Sequence, residues 1–210
     1  HFFGPLGMEN TRVNDDRRES MPNRVVGYAV VDGELRMDHP WGFDKVGSGG
    51  VYSSIEDMAR WDRNWFTEEV GGEGFSEALS QRGVLNDGTV LPYAFGVNVR
   101  EYRGARIVEH GGALMAFRSH LLRFPEQQTT AMVACSFPDS DASARARSVA
   151  DAVLGDQLEP VVADDAPAAA GAASPAKSAS AAMKMRLGKP WPSPVRSGLL
   201  RGQWTRNMIG

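Results

Sequence analysis

The chain of 210 residues contains a single cysteine, Cys135, so no internal disulfide is possible. No apolar run approaches the roughly 20 residues of a membrane-spanning helix. A net charge of -3 supplies no broad basic field for nucleic acid or an anionic membrane. The four histidines do not fall at the close spacings of a zinc site, so no metal or other cofactor is expected. The opening His-Phe-Phe-Gly-Pro-Leu-Gly-Met has no positive n-region and no initiator Met, so it reads as the interior of a longer sequence rather than a signal peptide.

The chain does have ordinary globular proportions, with 42% hydrophobic and 23% charged residues. A break in composition falls near Glu159. Residues 1–158 alternate periodic segments with turn signals. Residues 159–182 are dominated by Ala, Pro, Ser and Asp, which cannot bury enough surface to offset ordering entropy and read as a disordered linker. Residues 183–210, with Trp191 and Trp204, stay unassigned, either a tail or the start of a second module.

Within the first part, Arg24 to Val31, Asp32-Gly33 and Glu34 to Met37 form a hairpin pattern, because Asp-Gly supplies the positive φ angles of a two-residue turn. Ser54-Ile-Glu-Asp57 is a capping box opening a helix on which Ile55, Met58, Ala59, Asp62, Trp65 and Phe66 recur at helical spacing. Strands are expected over Tyr93–Glu101, Ala105–Glu109, Ala116–Phe124 and the apolar Thr129–Ser136. A closing helix carries Ala142, Ala146, Val149, Ala150, Val153 and Leu154 on one face, ended by Gly155. The expected class is α+β, an antiparallel sheet flanked by helices, followed by a disordered Ala/Pro-rich tail.

The chemistry concentrates in His110-Gly111-Gly112-Ala113. Glycine lets a backbone approach a ligand closely, and a backbone N–H aimed at a carbonyl that gains negative charge is an oxyanion hole. For His110 alone, a silent, hydrogen-bonded strand-end histidine is the competing reading. His120 and His39 read as structural, Cys135 as core, and Trp61 and Trp65 as helix packing. Glu109 adjoins His110 but should face the other side of its strand, which makes it a poor orienting partner.

Four stretches occur in order: Phe3-Gly-Pro-Leu-Gly-Met-Glu-Asn-Thr11, Gly47 to Trp61 (Gly-Ser-Gly-Gly-Val-Tyr-Ser-Ser-Ile-Glu-Asp-Met-Ala-Arg-Trp), Tyr93-Ala-Phe-Gly96, and His110 to Ser119. Together they resemble the C-terminal half of the β-lactamase-related serine hydrolases, which take in class C β-lactamases, D-Ala-D-Ala carboxypeptidases, D-aminopeptidases and esterases. The resemblance implies that His110 polarises the substrate, that Gly111 and Gly112 adjoin it, with Gly112 leaving room for its backbone, and that the Ala113 N–H is an oxyanion donor. It implies a small-molecule or peptide amide or ester substrate, a bacterial origin, and export to the periplasm or beyond. The family's Ser-x-x-Lys nucleophile and Tyr-x-Asn motif would precede His1, in a missing N-terminal half of the same domain. The look-alikes Ser174-Pro-Ala-Lys177 and Tyr52-Ser-Ser54 read as linker and as part of a non-catalytic loop.

Two functions follow as expectations: part of an acyl-transfer hydrolase, inert without its nucleophile, or a non-enzymatic binding module with the same fold. The chain alone should also expose an unpaired sheet edge and be marginally stable.

Overall fold

The computed structural model describes residues 1–16, 18–38, 46–47 and 49–160, together with the backbone of a strand at 180–186. Five strands form one antiparallel sheet: β5 (Asn98–Tyr102), β6 (Ala105–Leu114), β7 (Phe117–Phe124), β8 (Thr129–Cys135) and β9 (Ser180–Arg186), side by side in that order. Ahead of them come β1 (Arg12–Val13) paired with β4 (Val51–Tyr52), the hairpin of β2 (Tyr28–Val31) and β3 (Glu34–Met37), then α1 (Ile55–Thr67) and α2 (Phe75–Leu79). Helix α3 (Ala142–Leu154) follows β8. The α+β class is as expected.

Tight turns set the order of the sheet. Arg103-Gly104 joins β5 to β6 with both residues at positive φ (50° and 76°), and Met115-Ala116 joins β6 to β7 with Met115 at 49°. Asp32-Gly33 closes the β2–β3 hairpin in the same way, at 53° and 79°. Such turns match the right-handed twist of the strands they join.

The sheet is covered on both faces. On one, Ala105, Ile107, Leu122, Phe124, Ala131, Val133 and Cys135 pack against Ala142, Ala146, Ala150 and Leu154 of α3. Three alanines on the contact face let the helix lie close to the sheet. On the other, Val97, Val99 and Val108 pack against Trp65 of α1. The same interface buries the Asp62–Arg123 ion pair, with the Arg123 guanidinium 4.0 Å from the Trp65 ring centre. Burial opposes charge on both partners, pushing the Asp62 carboxyl up and the Arg123 guanidinium down, and their mutual attraction opposes it.

Helix α1 starts where its cap predicts, with Asp57 N–H donating to Ser54 Oγ at 3.2 Å. Only half of the capping box forms. The buried Asp57 carboxylate instead accepts from the Asn10 N–H at 2.7 Å and the Thr11 hydroxyl at 2.8 Å, anchoring the first segment of the chain.

Three expectations need revision. Tyr93–Glu101 is not one strand: Gly96 at φ 75° turns the chain back, Tyr93 bridges to Asn98, and β5 begins at Asn98. The strand expected to end at Glu109 runs on to Leu114 through both glycines. Helix α3 does end at Gly155, its C-cap, which has φ -48° and leads into a short 3-10 turn, Gly155–Gln157. The linker bounds 159–182 are also too wide. Leu158 is in the core, Glu159 N–H donates to the Arg103 carbonyl at 2.9 Å, and residues 180–186 form β9 along β8. Residues 161–179, with Ser174-Pro-Ala-Lys177, and residues 187–210 lie outside the described residues, as does His39.

Candidate active site

The site is built on the second half of β6. Pairing with β5 ends at Asn98 opposite Glu109, whereas pairing with β7 continues to Leu114 opposite Phe117. Among the described residues, His110 to Leu114 therefore have a strand partner on one side only. The two-residue turns fix which backbone groups face that open side. A hairpin closed by such a turn begins with a pair of residues that exchange both hydrogen bonds, and the pattern then alternates. Counting from Tyr102–Ala105, residues 105, 107 and 109 point their N–H and C=O groups toward β5. Counting back from Leu114–Phe117, residues 114, 112, 110 and 108 point theirs toward β7. Both counts leave the Gly111 and Ala113 N–H groups aimed at the open edge, and neither makes a backbone bond to a turn or loop among the described residues.

Side chains alternate in step. Val108 and His110 share the α1 face, while Ile107 and Glu109 share the α3 face. His110 is exposed at the end of the row, and Tyr93 Oη lies 3.3 Å from its Nε2 with the rings edge-on at 6.0 Å. Tyr93 also borders an open pocket of about 450 Å³ lined by Leu91, Ala94, Phe95 and Arg82. A larger opening of about 560 Å³ lies by Arg106, Glu77 and Gln81, and holds none of the candidate residues.

Glu109 has turned away from His110, as its strand position requires. Buried on the α3 face, it meets His120 Nε2 at 3.1 Å and Arg147 at 3.1 Å. The His120 hydrogen bond, ahead of the nearby Arg147 and Arg100 charges, holds the Glu109 carboxyl below its ordinary value. Of the two structural readings of His120, packing and surface, the buried packing one holds, with a charged partner that sequence reasoning did not find.

Both glycines make room for residues of β7. A Cβ on Gly111 would come within 3.2 Å of His120 Nδ1, and a Cβ on Gly112 would overlap Ser119 Oγ. Gly111 stands opposite His120 and Gly112 opposite Ser119, so each gap is filled by its cross-strand neighbour. The space at Gly112, attributed above to a substrate backbone, is occupied by the Ser119 hydroxyl. Neither glycine is at positive φ.

The structural readings of the other candidates stand. Tyr52 accepts a hydrogen bond from Arg24 at its hydroxyl, and Ser54 caps α1. Cys135 is buried. Among the described residues, no group of three or more His, Cys, Asp or Glu is placed to hold a metal, and no helix is long and apolar enough to cross a membrane.

Comparison with known proteins places this geometry in context. A family model described as Beta-lactamase matches residues 1–155. A D-aminopeptidase of Gluconobacter oxydans is 30% identical over 164 residues, covering 76% of this chain and 30% of that protein. One from Brucella anthropi is 27% identical over 171 residues, 79% of this chain and 32% of that protein. The chain thus spans about a third of the length of these relatives. Among solved structures, the octameric penicillin-binding protein homologue of Pyrococcus abyssi superposes with a TM-score of 0.63 at 19% identity, covering 73% of this chain and 36% of that one. The penicillin-binding protein of Bacillus halodurans gives 0.55 at 21%, covering 72% and 47%.

Proposed function

Because the chain belongs to the β-lactamase-related serine hydrolase family, we propose that the open half of β6 is the carbonyl-binding wall of an acyl-transfer site. An extended amide or ester substrate lies along His110–Ala113 as an added edge strand. The outward N–H of Ala113 donates to the substrate carbonyl oxygen, and that bond strengthens as the oxygen gains charge. His110 donates to the substrate beside the reacting bond. The serine that attacks, and the lysine one turn on that takes its proton, lie in a Ser-x-x-Lys segment outside these 210 residues, in the N-terminal half of the same domain.

One observation carries the reading: two successive outward N–H groups on an unpaired strand edge, with an exposed histidine on the same few residues. The names of the relatives make the N-terminal amide of a D-amino acid peptide the first substrate to test.

The chain is titrated with D-alanine amide and L-alanine amide while its backbone 1H–15N resonances are followed. Selective downfield shifts of the Gly111 and Ala113 amides, larger for the D form, are expected. Their absence while other regions respond contradicts the proposal. A fluorophosphonate probe should label no serine among these residues; covalent labelling of one at stoichiometric yield would overturn the placement of the nucleophile.

A further inference from the structure

We propose that Tyr93 is a positioning residue for His110, fixing its ring in the Nδ1–H tautomer so that it acts as a hydrogen-bond donor and not as a general base. The proposal rests on the reading of the site given above and adds a residue and a protonation state to it.

The geometry begins with how firmly Tyr93 is held. Its carbonyl accepts from the Gly83 N–H at 3.0 Å, and it bridges to Asn98 at the start of β5. Around it, Val99 N–H donates to the Pro92 carbonyl at 2.8 Å and Ala94 N–H to the Val97 carbonyl at 2.8 Å. Phe95 N–H donates to the Leu79 carbonyl at 3.2 Å. The tyrosine is therefore presented from a loop whose backbone is laced to the same sheet as His110, and its exposed ring places the hydroxyl 3.3 Å from Nε2.

The chemistry of the pair then selects the donor. A neutral imidazole has one N–H and one lone-pair nitrogen, and the bond made by one nitrogen decides which carries the proton. A phenol is a good O–H donor, but its oxygen is a poor acceptor because its lone pair is shared with the ring. The imidazole nitrogen is the stronger acceptor of the two. Tyr93 Oη–H thus donates to His110 Nε2, and the proton of the neutral ring sits on Nδ1.

No other side chain among the described residues hydrogen-bonds this ring, so Nδ1–H is the group offered to a ligand. With its lone pair engaged, His110 polarises the substrate and leaves proton abstraction to another residue. The tyrosine of the Tyr-Ala-Phe-Gly stretch thereby gains a reason to be a tyrosine.

The test is a long-range 1H–15N spectrum of the full 210-residue chain labelled at histidine, recorded near pH 9, where imidazoles are neutral. His110 is identified by the signal lost in His110→Ala. The wild type should show Nδ1 as the protonated nitrogen of His110, and Tyr93→Phe should move the majority to Nε2–H, the form a free imidazole side chain prefers. The buried His120 serves as the fold control in the same spectrum. A wild-type His110 already carrying its proton on Nε2, or a ring unchanged by Tyr93→Phe, overturns the proposal. If Tyr93→Phe disturbs His120, the wild-type tautomer decides alone. The readout is independent of the amide titration, so a failure there counts against carbonyl binding at β6 and leaves this assignment to its own measurement.

Discussion

Strand β6 is two strands in one. From Ala105 to Glu109 it pairs with β5, joined on its other side by β7 from Val108 onward, and is mostly buried, with Ile107 in the α3 core and Val108 in the α1 core. From His110 to Leu114 it is paired, among the described residues, on one side only and is largely exposed. The change comes at a single register position, where β5 begins at Asn98 because the Gly96 turn brings the chain in there. One half therefore serves as structure, and the other has spare backbone donors to offer. The inner half fixes the phase in which the outer half presents its N–H groups.

Substitutions along β6 break or sharpen this contrast. The largest loss is expected from Ile107→Ala, which empties a fully buried position and should cost about 2–5 kcal/mol in chemical denaturation. Glu109→Gln should cost about 2–3 kcal/mol by leaving His120 and Arg147 without their carboxylate. It should also change the pH profile. The Glu109 carboxyl is held below its ordinary value in the folded state, so its stabilisation is complete above the unfolded value of about 4.3 and is lost as pH falls through the folded one. Thermal melts of the wild type should fall in that acidic window more steeply than those of Glu109→Gln.

In the outer half, Gly112→Ala should cost about 1–3 kcal/mol through its overlap with Ser119. Adding Ser119→Gly should recover most of that loss. If the double variant recovers nothing, the gap at Gly112 is not there for Ser119. The smallest stability effect is expected for Ala113→Pro, within about 1 kcal/mol, because proline is tolerated where a strand N–H faces outward. The same variant should abolish the response to D-alanine amide, separating site from structure in one residue.

Much of this was legible in local sequence. Asp32-Gly33 announced a hairpin, Ser54 a helix start, and the turn residues at Arg103-Gly104 and Pro125 the order of the central strands. What was not legible depends on partners distant in sequence. Ser180–Arg186 holds two alanines and a lysine, residues with little strand preference, and its place is set by pairing along the edge of β8. That edge is covered by a strand of the chain's own tail, and among the described residues the outer half of β6 lacks a partner where β5 stops. The His120–Glu109 pair and the reasons for Gly111 and Gly112 come from a cross-strand register that no single segment displays. Tyr93 sat in a stretch read as continuous strand, so its turn toward His110 was hidden by the missed bend at Gly96. His110 itself was found because an exposed histidine beside two glycines is a local signal.

The most direct test is amide hydrogen exchange along β6 in the unliganded chain. Alternation is predicted: slow exchange at Ile107, Glu109, His110 and Gly112, whose N–H groups face strand partners, and fast exchange at Gly111 and Ala113. Protection at Ala113 equal to that at Gly112 would show that its N–H is already taken, and would contradict an open carbonyl-binding edge.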